Sequence, residues 1–315
     1  MIKVSAPCKI HLLGEHAVVY GKPALLTAVD LRITVTIQPC HSGEHQRLQN
    51  HDSGQARMTE VIEPIVKKGL NIKNIPPYNL EISSQIPIGA GLGSSGAVSA
   101  TYIAALLLFL KVKWDLNLIN KLAYEAEKVF HGNPSGADPA TVIFGGLIWF
   151  RKETPDLKII QKLPFSIPNK LSKNFVIINT GTPKQTTKDM VVFVKNLYDK
   201  KPKIVEQFLE IQEKLVKELL PVIKEGNEKE FMRIIKEGEK NLESIGVASK
   251  FAQNIIRKIE QAGGAAKICG GGSTDGPTGV LLCYHSNPQV IKDIAKSLRL
   301  DYFQSKLGIE GLRRE

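Results

Sequence analysis

The sequence predicts an α+β fold built as two units, and three observations carry that expectation. Residues Ile2 to Val19 and Ala24 to Pro39 alternate like strands. A glycine-rich run, Pro87-Ile-Gly-Ala-Gly-Leu-Gly-Ser-Ser-Gly96, joins a strand to a long apolar helix. After a lysine-rich helical stretch, the order strand, turn, strand, helix, strand follows from Ala265 to Phe303. Residues 151–172, with three prolines and scattered lysines, have the composition of a boundary between the units.

Between these landmarks, the polar stretch His41 to Arg57 reads as a loose loop and Thr59 to Lys68 as a helix. Asn79 to Gln85 is expected to be the strand that enters the glycine run, and Ala97 to Leu110, apolar throughout, a buried helix. A further helix, Leu118 to Phe130, leads into a turn rich in Gly, Asn and Pro that ends at Asp138, and Ala140 to Phe150 is expected to return as a strand. Phe175 opens the second unit with another strand.

Composition narrows the function classes. The chain has 315 residues, 43% hydrophobic and 23% charged, enough for two cores or one large one. It has no charged segment followed by an apolar leader and no apolar run of about 18 residues, so secretion and membrane spanning are not expected and a cytoplasmic location is. Four cysteines, at 8, 40, 269 and 283, lie far apart without Cys-x-x-Cys spacing and read as buried small hydrophobes. The net charge of +11 is spread over helices from about Leu197 to Lys240, where Lys and Glu alternate around an apolar stripe. That is the pattern of a solvated helix face, and nucleic acid is not an expected partner.

Chemistry is concentrated in three segments. In the glycine run, Gly89, Ala90, Gly91, Leu92, Gly93, Ser94 and Ser95 precede a helix whose first N–H groups and positive dipole end would face an anion, so a phosphate chain is the expected ligand. No lysine lies between Gly89 and Lys111, which separates this cradle from the P-loop pattern. A plain connector between strand and helix has the same composition. Pro7 to Pro23 places Lys9, Glu15 and His16 close together on an early strand and its turn. Glu127 to Pro139 carries a helix end and Asp138.

Gly-Glu-His-Ala-Val-Val-Tyr-Gly (14 to 21), Gly-Ala-Gly-Leu-Gly-Ser-Ser (89 to 95) and His-Gly-Asn-Pro-Ser-Gly-Ala-Asp (131 to 138) resemble, in order and separation, the motifs of the GHMP kinases, and within them the mevalonate kinase branch. Asn179 to Thr186 is similar to that branch's motif near the substrate. The resemblance covers most of the chain. It implies a ribosomal-protein-S5-like domain over residues 1–165, a ferredoxin-like domain over 166–315, and an active site between them. It further implies ATP as co-substrate, Mg²⁺ as cofactor and mevalonate as the small-molecule substrate; a homodimer is compatible with it, and the sequence does not fix the oligomeric state.

The resemblance also assigns roles. Asp138 is the expected base for the acceptor hydroxyl, with Lys9 beside it keeping it ionised and stabilising transition-state charge. Without the resemblance, Asp138 reads equally as a turn cap and Lys9 as a surface lysine at a strand end. Ser95 and Glu127 match the metal-binding pair; otherwise they read as a helix cap and a helix-surface carboxylate, and only the motif chooses Glu127 over Glu125. Glu15, His16, Gly136 and Thr186 are expected around the substrate, although a lone histidine is more often structural, and His131 is read so. Other small-molecule GHMP kinases, acting on phosphomevalonate, a sugar or homoserine, and a non-catalytic binding protein of the same fold are the alternatives.

Two departures stand out. Cys8 occupies the place of a glycine before Lys9, and would be strained if that position needs a positive φ. The third phosphate motif reads Lys267-Ile-Cys-Gly-Gly-Gly-Ser-Thr-Asp-Gly-Pro-Thr-Gly279, which brings an acidic Asp275 toward the expected triphosphate.

Overall fold

The N-terminal alternation folds into a long antiparallel pair, β1 (Ile2–Leu13) and β2 (Ala24–Pro39), in register from Ile2 opposite Ile37 to Leu13 opposite Leu25. The computed structural model describes residues 1–40, 53–85, 92–132, 134–154 and 157–315. The strand expected to reach Val19 stops at Leu13, because Gly14 turns at φ 103° with its Cα so close to Ala24 that a Cβ would lie 2.5 Å from that residue's Cα. The apolar residues that follow form a 3-10 turn, Ala17–Tyr20, and pack inward rather than extending the sheet.

The helix expected at Thr59 to Lys68 is longer, Ser53–Leu70 (α1), so the end of the expected loop belongs to it. The rest of that loop, 41–52, lies outside the described residues. β3 (Tyr78–Ser84) pairs with β2, and α2 (Ser94–Phe109) is buried along its length, as an element apolar on every side must be. Asp115 caps α3 (Leu116–His131) by accepting the N–H groups of Asn117 and Leu118.

The strand expected over Ala140 to Phe150 is corrected. Residues Ala137–Phe144 form a helix, α4, and only Leu147–Lys152 is strand, β4. Ala140-Thr-Val-Ile-Phe144 is β-branched and suits a strand by propensity, but a short apolar run buried on all sides carries no periodicity that separates strand from helix. Packing against α2 and α3 decides it. β5 (Lys158–Lys162), inside the expected boundary segment, pairs with β4 and extends the first sheet.

After a short turn of helix, α5 (Asn169–Ser172), β6 (Phe175–Asn179) begins a second sheet. Four helices follow: α6 (Thr187–Lys200), α7 (Pro202–Glu225), α8 (Glu228–Ser244) and α9 (Lys250–Gln261). Ala252, Ile255, Ile256 and Ile259 form the buried stripe of α9 at helical spacing. On the outer faces, charges pair along the helices, as Lys217 does with Glu213 and Arg233 with Glu230 and Glu237. β7 (Ala265–Ile268), β8 (Val280–Tyr284), α10 (Pro288–Ser297) and β9 (Asp301–Gln304) complete the predicted strand-turn-strand-helix-strand order. The spatial order β7-β8-β6-β9, antiparallel throughout, is a ferredoxin-like arrangement. The C-terminal segment then returns to the first sheet, where β10 (Arg313–Arg314) pairs with β1.

None of the four cysteines is in a disulfide; Cys8, Cys269 and Cys283 are buried as expected, whereas Cys40 is only partly buried, just past the end of β2. Cys8 sits in β1 next to a register shift, outside the residues with positive φ, so the feared strain is absent there. Among the described residues no helix is long and apolar enough to cross a membrane.

Candidate active site

The ends of three elements converge on Lys9 and Asp138. Lys9 is carried by β1 and almost wholly buried, and its Nζ lies 3.0 Å from Asp138 Oδ1. Its backbone N–H donates to Leu92 O at 3.1 Å, and its stem crosses Gly93, where a Cβ would come within 2.7 Å of Lys9 Cγ and Cε. Gly93, at φ 73°, is also the N-cap of α2. A glycine is needed there twice over, to start the helix and to let the lysine pass. One turn along, Gly96 abuts Asp138, so the N-termini of α2 and α4 meet at this pair. Ser94 and Ser95 belong to the first turn of α2; Gly89, Ala90 and Gly91 lie outside the described residues.

Asp138 is not the cap of its helix. Gly136, at φ 89°, holds the N-cap position of α4, and the Ala137 N–H donates to Ser135 Oγ. That leaves the Asp138 carboxylate, 28% exposed, to face Lys9 and His11, whose Nε2 is 3.7 Å from the same Oδ1. Burial works to raise its pKa, but Lys9 and then His11 outweigh burial and hold it well below the ordinary carboxylate range.

Glu127, near the end of α3, is in the opposite condition. It is buried, its Oε2 has no hydrogen-bond partner, and burial followed by the charge of Asp138 drives its pKa well above the usual value, with Lys9 and Lys158 opposing. Glu125 points outward and pairs with Lys128 at 2.6 Å, so of the two glutamates it is Glu127 that faces Asp138. Lys158, from β5, lies over the Tyr124 ring and is pushed down to about 8 by burial and by the neighbouring Lys152 and Lys128. The two carboxyls thus have pKa values driven in opposite directions, as happens where ionisable groups converge in a functional site.

The remaining expected residues divide. His16 is buried in the left-handed region, at φ 59°, and its Nε2–H donates to Gly271 O at 3.0 Å. Gly271 packs against Thr187, which places Thr186 near the same loop. Thr186 itself is exposed and engaged in a capping box with Asp189, so its hydroxyl serves α6. Glu15 is fully buried and bonds neither His16 nor Lys9; its partner is Lys267 of β7. His11, Lys158 and Lys267 are members of this neighbourhood that the sequence reading did not select. His11 falls two residues after Lys9 and so on the same face of β1, a spacing that could have pointed to it. Lys267 pairs with a residue 252 positions away, and no local pattern signals that.

The sequence model of the GHMP kinases N terminal domain matches residues 57–146, the span from α1 through α4. A mevalonate kinase from Archaeoglobus fulgidus is 32% identical over 268 residues, covering 85% of this chain and 88% of that protein. The chain belongs to the mevalonate kinase family. A second family member, from Thermococcus sibiricus, is 28% identical and matches the whole chain and 98% of its own length. The solved structure of L. major mevalonate kinase in complex with R-mevalonate superposes with a TM-score of 0.79 at 17% identity, covering 98% of this chain and 96% of that one. The fold is therefore the two-domain fold of the GHMP kinases.

Against that family pattern, the unusual loop after β7 proves internally tied. Gln185 Oε1 accepts from Ser273 Oγ, Thr274 N and Thr274 Oγ1, at 2.8 to 3.0 Å. Asp275 is exposed and faces Lys184 at 3.6 Å, directed to solvent with its charge partly met.

Proposed function

We propose that this chain phosphorylates the primary hydroxyl of (R)-mevalonate with ATP, giving 5-phosphomevalonate and ADP. The observation that carries the proposal is the Lys9–Asp138 ion pair, buried on the lysine side and partly open on the aspartate side, set between the N-termini of two helices. In this reading the site lies between the unit of residues 1–165 and that of residues 166–315. The glycine run and the first turn of α2 hold the phosphates by backbone donors. Asp138, ionised and held by Lys9, takes the proton as the acceptor oxygen attacks the γ-phosphorus and its bond to the ADP oxygen breaks. Lys9 then faces charge that grows on the transferring group, where an oriented cation in a dry site is most effective.

Mg²⁺ fits this site. Glu127 presents a buried oxygen without a partner, and a carboxylate so crowded by Asp138 is one that a cation would relieve. With the Ser95 hydroxyl it supplies the one or two hard oxygens that magnesium takes from a protein beside phosphate. When bound, the ion neutralises phosphate charge. Glu127→Gln and Ser95→Ala are each expected to move the Mg²⁺ midpoint of activity upward. If titration at saturating ATP left both midpoints at the wild-type position, the metal would be held by the phosphates alone.

Release of ADP, measured against mevalonate, phosphomevalonate, galactose and homoserine, tests the substrate assignment, with mevalonate expected to give the highest kcat/KM. His16→Ala is expected to raise KM for mevalonate about tenfold or more while leaving KM for ATP nearly unchanged, because Nε2–H is given to Gly271 O and the other ring nitrogen is left to accept from a substrate hydroxyl. Preference for phosphomevalonate, or an effect of His16→Ala confined to ATP, would remove the mevalonate reading.

A further inference from the structure

Lys267 has no part in the chemistry above, yet it is placed where the two sheets meet. It is fully buried, and its ammonium lies against the Glu15 carboxylate, Ile268 O at 2.6 Å, His11 O at 3.4 Å and, more distantly, Cys269 Sγ at 3.9 Å. His11 is two residues from Lys9 on β1, and Glu15 is followed directly by His16. A single ammonium on β7 therefore ties down both ends of the segment that runs from the phosphoryl-transfer lysine to the expected substrate-binding histidine.

Stability alone does not account for such a pair. Taking two charges out of water costs about several kcal/mol per ion, and apolar residues of similar volume are often as stable in their place. Burial disfavours the ammonium here too, but the Glu15 carboxylate in contact with it reverses the balance and keeps it charged. What a buried ion pair does supply is register, since a charge in an apolar interior has few arrangements of acceptable energy. The segment needs one. His16 sits at φ 59°, a conformation that costs about 1–3 kcal/mol outside glycine and persists only where neighbours over-determine it. Gly271 O holds its ring from one side, and the Lys267–Glu15 pair holds its backbone from the other.

We propose that Lys267 is a positioning residue for the acceptor: through Glu15 and the His11 carbonyl it fixes the Glu15–His16 turn and the Lys9 strand against β7, so that His16 and Lys9 meet the acceptor in one geometry. The proposal rests on the mevalonate kinase reading of the site. Lys267 is too deeply buried to touch substrate, so its influence passes entirely through these partners.

The test uses the full chain with mevalonate and ATP. Lys267→Met leaves Glu15 buried and unpaired and is prone to misfold. The charge-balanced double variant Glu15→Gln with Lys267→Met is therefore made beside it, together with Glu15→Asp, which keeps both charges and withdraws the carboxylate by one methylene. Each folded variant is expected to lose about 10- to 100-fold in kcat/KM for mevalonate, the effect of a misplacement of about 1 Å, with KM for ATP within about twofold of wild type. The double variant should lose no more than the folded single ones, because the tie is one unit. A folded double variant or Glu15→Asp with wild-type kcat/KM for mevalonate would reduce the pair to a structural ion pair and overturn the inference. Wild-type protein that fails to turn over mevalonate in the same assay would instead overturn the substrate assignment.

Discussion

Asp138→Asn is expected to lower kcat by about two to four orders of magnitude while the fold and the affinity for ATP stay close to wild type. The substitution keeps the shape of the side chain and removes the group that accepts the proton. Little structural damage is expected because Asp138 does not cap α4; Gly136 has that place, and the Ala137 N–H is met by Ser135. The remaining loss is the Lys9 contact, at 3.0 Å and partly exposed on the aspartate side. Stopped assays of phosphate transfer, with thermal melting and ATP titration on the same preparation, check this. A variant with kcat near wild type would return Asp138 to a structural role.

Lys9→Met is expected to lower kcat by about two to three orders of magnitude and to move the acidic limb of the kcat profile to higher pH. The sign follows from the charges around Asp138. Burial raises its pKa, Lys9 and His11 lower it, and the net result in the native protein is a carboxyl well below the ordinary range. Its base form is thus present down to quite acid pH. Without the ammonium, burial acts with less opposition, the carboxyl titrates at higher pH, and the base form is lost earlier as the solution is acidified. Methionine keeps the apolar stem over Gly93, so the close approach of β1 to α2 survives. An unchanged acidic limb together with an unchanged kcat would show that Lys9 and Asp138 are neighbours without catalytic coupling.

The site was legible in the sequence to the extent that its residues fall in short motifs. Lys9 and Asp138 belong to such motifs, and the structure brings them into contact although 129 positions separate them. Glu15 was legible as a site residue but its partner was not. The sequence reading placed it around the substrate, and the structure gives its carboxylate to Lys267 on the other sheet. Thr186 shows the reverse: its place beside the Gly271 loop fits the motif, while its hydroxyl is occupied by the local capping box with Asp189.

What the sequence determined by itself was everything that depends on neighbours within a few residues. The β1–β2 alternation, the buried α2, the stripes and caps of the later helices, and the strand-turn-strand-helix-strand order after Ala265 all follow from local periodicity and capping. Tertiary structure decided the rest. It made Ala137–Phe144 a helix, since a run buried on every side takes the form its packing partners allow. It returned the C-terminal residues to β1, turned Glu127 rather than Glu125 toward Asp138, and joined Lys267 to Glu15. The physical reason is common to these cases. Burial sets the energy of a charge or an ambiguous segment, and burial is a property of the whole fold that no window of the chain contains.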